Sequence, residues 1–190
     1  MIKVYLANRP PLAEYLRTDV IDQLPAGEIK RIADETGNHW RKKFNVYAKL
    51  MYSLAEMTHD PLLLNYNRWQ VYRDQALLQQ GSDTELHLGC SVTEPPSLLQ
   101  IWASQADDRS IIHIVMGKSY SEQLLEGTSI EWLDKDFAIN RHKNIIVCPY
   151  FDYRQLSNLK IKTLVNLILS LQNQVISRAS VGSMCEPESF

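Results

Sequence analysis

Three runs of branched apolar residues, each followed by a helical stretch, occupy the second half of this 190-residue chain and restrict what it can fold into. Leu86-His87-Leu88-Gly89-Cys90 is the first, and Thr93-Glu94-Pro95-Pro96 after it opens a helix through Leu98, Leu99 and Trp102. Ile111-Ile112-His113-Ile114-Val115-Met116 is the second; Gly117 turns it into a helix bearing Leu124 and Leu125, closed by Gly127. Asn144-Ile145-Ile146-Val147-Cys148 is the third and stops at Pro149. Runs this apolar need both faces covered, so the strands are expected to pair in parallel, joined by right-handed helical crossovers. The last helix carries Ile161, Leu164, Val165, Ile168, Leu171 and Val175 on one stripe, with Ser157 or Asn158 as its cap.

The first half adds one strand and a helical region. Ile2-Lys3-Val4-Tyr5-Leu6-Ala7 reads as a strand, stopped by Asn8-Arg9-Pro10-Pro11 because paired prolines cannot extend a central strand. Trp40, Phe44, Tyr47, Met51 and Leu54 then recur at helical spacing, and His59-Asp60-Pro61 ends that helix. Another helix is expected from about Tyr66 to Gln80, with Trp69, Tyr72 and Ala76 inward and Gly81 as its stop. The expected architecture is a single α/β domain over residues 1–180. It is three-layered α/β/α, with a short four-stranded, mostly parallel sheet and a long C-terminal helix. Residues 181–190 are expected to form a flexible tail.

Charge and cysteine usage narrow the function classes. The net charge of −2 gives no whole-protein attraction to nucleic acid, and the cluster Arg41-Lys42-Lys43 reads as the solvated face of a helix. Three cysteines, far apart and odd in number, fit a reducing compartment rather than a disulfide framework. The start lacks the long apolar run of a signal peptide or membrane helix, so the expected location is cytoplasmic, with no membrane partner. No His or Cys pair has zinc-ligand spacing, and neither a metal nor another cofactor is expected. The aromatics between Trp40 and Tyr72 serve packing on the sheet and a dimer contact equally well, so oligomerisation stays open.

In open α/β sheets the ligand sits beyond the carboxyl ends of the strands. That rule selects four loops: Asn8 to Pro11, Cys90 to Pro96, Gly117 to Tyr120, and Cys148 to Leu156. Gly117-Lys118-Ser119 is no phosphate loop, because position 112, where that motif requires glycine, is Ile. Cys148 ends a strand on the ligand side and is read as lining the site. Cys148-Pro149-Tyr150-Phe151-Asp152-Tyr153-Arg154 puts three aromatics, a carboxylate and a guanidinium at one strand end. Aromatics stack on bases and Arg grips phosphate or carboxylate. The alternative for this segment is a packed loop held by an Asp152–Arg154 ion pair.

In the order and spacing of these segments the chain resembles the uracil-DNA glycosylase superfamily. Ala7-Asn8-Arg9-Pro10-Pro11 lies where that family has its water-activating loop, and Leu88 to Pro96 where it has a polar-Pro-Pro segment. Ile112 to Tyr120 with Leu124-Leu125 matches its Gly-Lys strand-to-helix turn. Cys148-Pro149-Tyr150 with Arg154 lies where it has His-Pro-Ser and an aromatic-to-Arg loop. The resemblance implies hydrolysis of an N-glycosidic bond of a modified or mismatched base. In that reading Asn8 is the catalytic, water-orienting residue and Tyr150 or Tyr15 stacks on the base. Lys118 and Arg154 approach phosphates, and Arg9, Pro10, Cys148 and Asp152 line the site. Cys148 stands where the family has histidine, and a thiol is a poor donor to a departing base anion. The alternative is a non-catalytic nucleotide-, nucleic-acid- or protein-binding module on the same scaffold, with DNA, a nucleobase or a nucleotide as the expected partner.

Overall fold

The computed structural model describes residues 1–89 and 110–182, with side chains to residue 173. The expected Cys90–Pro96 loop, the helix after it and the tail from 183 lie outside the described residues. Strands β1 (Ile2–Leu6), β3 (Thr84–Leu88), β4 (Ile112–Met116) and β7 (Ile145–Cys148) form the parallel centre. β1 lies between β3 and β4, and β7 follows β4. These are the four strands read from the apolar runs.

The sheet is nevertheless larger than four strands. β2 (Val20–Ile21) adds antiparallel to β3 at one edge, and β6 (Ala138–Asn140) and β5 (Glu131–Trp132) add antiparallel beyond β7, giving seven strands among the described residues in the order β2-β3-β1-β4-β7-β6-β5. Each added strand is two or three residues long. Such pieces are too short to show alternation, and they are placed by the edges they cap.

Alternation along β1 assigns the faces. Ile2, Val4 and Leu6 point into the main core, while Tyr5 points into a smaller cluster with Val115, Leu125, Ala138, Ile145 and Val147. The main core is closed by α1 (Glu28–Thr36), α2 (Asn38–Thr58), α4 (Trp69–Gln75) and the long C-terminal helix α6 (Asn158–Gly182). The short helix α5 (Lys118–Leu124) sits against β4 and β7 on the other face. No helix among the described residues is long and apolar enough to cross a membrane.

α2 is the helix that the Trp40–Leu54 spacing predicts; all five stripe residues are buried. His59 ends it in a left-handed conformation, and the Asp60 carboxylate accepts from Leu62 N to start α3 (Pro61–Leu64), with Pro61 in the first turn. At its middle, the Tyr47 hydroxyl lies 3.1 Å from the carbonyl oxygens of Ile2 and Glu85, which places the helix against β1 and β3. Tyr47→Phe removes that bond from a buried site and is expected to cost about 1.5 kcal/mol. A denaturant midpoint that does not fall would show the bond to be dispensable.

The helix expected over 66–80 is shorter than its spacing suggests. α4 ends at Gln75, and Leu78 turns left-handed at φ 57°. The break buries Leu77 and Leu78 completely. It also lets Leu78 N donate to Thr84 Oγ1 and Leu78 O accept from Leu24 N. Tertiary bonds here outweigh local helix preference.

On the second face, β3, β1 and β4 bring polar residues side by side. Lys3 Nζ lies 3.1 Å from Glu85, which also accepts from His87 Nε2 at 2.7 Å. Tyr5 stacks on His87, and its hydroxyl shares a 2.8 Å hydrogen bond with His113 Nδ1. Burial and the charge of Lys3 lower the His113 pKa to about 4, so its ring is neutral at physiological pH. The two strand histidines are thus members of a buried polar network.

Candidate functional site

At the carboxyl ends of the strands, β1 and β3 are drawn together by Gly89. A β-carbon there would lie 2.8 Å from the Ala7 Cα and carbonyl oxygen, so only glycine fits. Arg9 ties the same corner: its guanidinium donates to the carbonyls of Gly89 (3.0 Å) and Thr18 and to Asp19 (2.6 Å). Pro10 is buried beside it, and Asn8 is exposed just past β1. Tyr15 is buried in the main core with its hydroxyl donating to Glu28 of α1 at 2.6 Å.

Two strands away, the loop after β7 folds over the end of β4. Gly117 N donates to the Cys148 carbonyl at 2.8 Å, and the Tyr150 ring packs on Gly117, where an added β-carbon would stand 3.2 Å from Cδ2. Gly117 also holds φ at +87°. The Cys148 side chain is fully buried in the main core and its thiol pKa is pushed far up by burial. The thiol therefore lies inside the helical layer. Asp152 pairs with Lys42 at 2.9 Å and accepts from Arg154 N at 2.9 Å. That replaces the Asp152–Arg154 side-chain pair with a partner from α2, and both bonds hold the Asp152 pKa below its ordinary value. Arg154 is exposed. Lys118, at the start of α5, is exposed with its ammonium 4.8 Å from the centre of the Trp132 ring. Asn8 follows β1 and Tyr150 follows β7, two strands away in the sheet order.

Lys43 is the residue the sequence reading misplaced. It is only 2% exposed, although its neighbours Arg41 and Lys42 do reach solvent. The first turns of α2 carry it to the strand-end pole, where its ammonium lies 4.5 Å from the centre of the Trp40 ring and 5.4 Å from that of Tyr150. Among the described residues it has no hydrogen-bond partner. Burial lowers its pKa to about 8, with Asp152 opposing the shift. His39, one turn earlier, is held below its ordinary pKa by burial and then by the charge of Lys43. The helical phase carried a signal: Lys43 is three residues after Trp40 and four before Tyr47, inside the apolar stripe.

A buried ammonium that donates no hydrogen bond is costly, and two aromatic faces compensate only in part. The arrangement suits an anion that supplies the missing acceptor. Tyr150 is half-buried, lying between Lys43 and the hydrogen-only surface of Gly117. Among the described residues no group of three or more His, Cys, Asp or Glu side chains could hold a metal ion.

No curated protein and no solved structure matches the chain significantly. One family of unknown function, DUF6942, matches it over residues 1–169. That span runs from β1 into α6 and includes Lys43, Gly89, Gly117 and the whole loop after β7, so the chain belongs to the DUF6942 family.

Proposed function

We propose that the strand-end pole binds a small anionic, ring-bearing ligand of the mononucleotide class, without chemistry on it. The observation that carries this reading is the Lys43 ammonium between the Trp40 and Tyr150 rings, without a hydrogen-bond partner among the described residues. A phosphate or carboxylate would give Lys43 its acceptor, and the ligand ring would stack on Tyr150 as that side chain turns off Gly117. Lys42, already within 4.7 Å of the Tyr153 ring centre and paired with Asp152, closes the same wall. The hydrolytic reading needs a donor to the leaving base at the end of β7. The thiol at that position faces the core, and Asn8 follows β1, two strands from the strand that carries the aromatic loop. The binding reading uses the groups as they are placed.

Calorimetric titration with adenosine monophosphate, adenosine and a single-stranded oligonucleotide tests it. The monophosphate is expected to bind at least tenfold more tightly than adenosine, the ratio a charge-assisted contact supports. Equal affinities would remove the role of Lys43. Oligonucleotide binding with a steep salt dependence and no mononucleotide binding would make the chain a nucleic-acid binder instead. Release of free base from the oligonucleotide would restore the hydrolytic reading.

A further inference from the structure

The opposite pole of the sheet holds a cavity of about 610 Å³ at the start of β1 and β3. That volume is within the range of sites for small organic ligands. Its walls come from the C-terminal half of α2, from α3, and from the segments that flank α4. Leu54, Leu63, Tyr66 and Tyr72 supply apolar surface, and the Tyr66 and Tyr72 rings meet edge to face at 5.6 Å. Two carboxylates, Asp60 and Asp83, stand among the lining residues, the other polar side chains there being neutral Gln, Ser and Thr. Among the described residues no lysine, arginine or histidine side chain lines it; with the α-ammonium of Met1, a lining residue, the two carboxylates remain in excess.

The backbone around this cavity is held in costly conformations. Four non-glycine residues among those described have positive φ, and three of them, His59, Asn67 and Leu78, directly adjoin residues that line it. Asparagine and histidine tolerate the left-handed region; a leucine there is a true outlier. Leu78 keeps that conformation because its N–H and C=O join Thr84 and Leu24, which fixes two walls of the cavity relative to each other. Strain of this kind persists where surrounding structure over-determines it, and it gathers at ligand sites.

We infer that this cleft is a ligand site for a small organic cation with an apolar body, an alkyl or arylalkyl amine, distinct from the anion site at the other pole. The apolar part lies among Leu54, Leu63, Tyr66 and Tyr72. The ammonium faces the tyrosine rings and the Asp60 and Asp83 carboxylates, and the two charges at the rim select against anions.

Three probes of one shape separate charge from shape: 3-phenylpropylammonium, 3-phenylpropanol and 3-phenylpropionate, titrated by NMR with the Met51 methyl as reporter. The amine is expected to shift that methyl and to bind about threefold to fivefold more tightly than the alcohol, with the carboxylate weakest. Asp83→Asn, at an exposed position, is expected to reduce the preference for the amine over the alcohol. Equal binding of all three probes, no binding of the amine, or an Asp83→Asn variant that keeps full preference for the amine would each overturn the inference.

Discussion

Lys43→Met is expected to make the folded chain more stable at pH 7, by about 2 kcal/mol, while removing the preference for a monophosphate over its nucleoside. The stability part follows from the environment of the ammonium. Lys43 is buried without a hydrogen-bond partner among the described residues, and its pKa falls from 10.5 to about 8. A shift of that size corresponds to roughly 3 kcal/mol, which we reduce because the neighbouring Lys42 and Asp152 are partly wet and screen the charge. The sign follows from proton counting. Below pH 8 the amine is charged in both folded and unfolded chains, and the desolvation penalty is fully present. Between pH 8 and about 10.5 the unfolded chain binds the extra proton, so this group's contribution to stability rises with pH through that window. The stability difference between the variant and the native chain is therefore expected to shrink as pH rises from 8 to 10.5. Thioether for ammonium is close in volume, and the Trp40 and Tyr150 faces accept it. A variant less stable at pH 7 would mean that the ammonium is satisfied, and the case for an anion ligand would fall with it.

Gly89→Ala is expected to destabilise the chain by about 3 kcal/mol, at the upper end for overpacking, because the new methyl meets backbone and not a movable side chain. Its β-carbon would lie 2.8 Å from both Ala7 Cα and Ala7 O. Relief requires the ends of β1 and β3 to part, which also strains the Arg9 bond to the Gly89 carbonyl and the 2.6 Å bond from Gly89 N to Leu6 O. Urea denaturation reads the loss directly. An unchanged midpoint would mean that the two strand ends separate without cost, and that the corner held by Arg9 is not rigid.

Both expectations concern residues whose importance differs in how far a sequence can reveal it. The central strands were legible because Ile2–Leu6, Ile112–Met116 and Ile145–Cys148 are buried on both faces and so are composed almost wholly of apolar residues. α2 was legible because its five-residue stripe is long enough to fix a period. Glu131–Trp132, with both residues exposed, has no such pattern and exists only as an edge partner of β6. Leu78 broke a helix that local preference favoured, through bonds to residues 24 and 84 that no local window contains.

The candidate site divides in the same way. The loop from Cys148 to Arg154 announces itself by composition, and the fold does bring Tyr150 and Asp152 to the strand-end pole. Arg9 and Tyr15 enter the site only through the resemblance, and the structure bonds Arg9 to Gly89, Thr18 and Asp19, and Tyr15 to Glu28. Lys43 was hidden inside a run of three cations, where charge suggested solvent and only helical phase pointed inward. The cavity at the other pole is assembled from helix ends and turns, and its lining residues share no motif along the chain.

The ammonium of Lys43 can be observed by itself, by NMR titration of its labelled Nζ from pH 6 to 11, with and without adenosine monophosphate. The expected midpoint is near 8 in the free chain and higher with the nucleotide bound, because the phosphate stabilises the charged form. A midpoint at the ordinary lysine value in the free chain, or one that the nucleotide leaves unmoved, would contradict it.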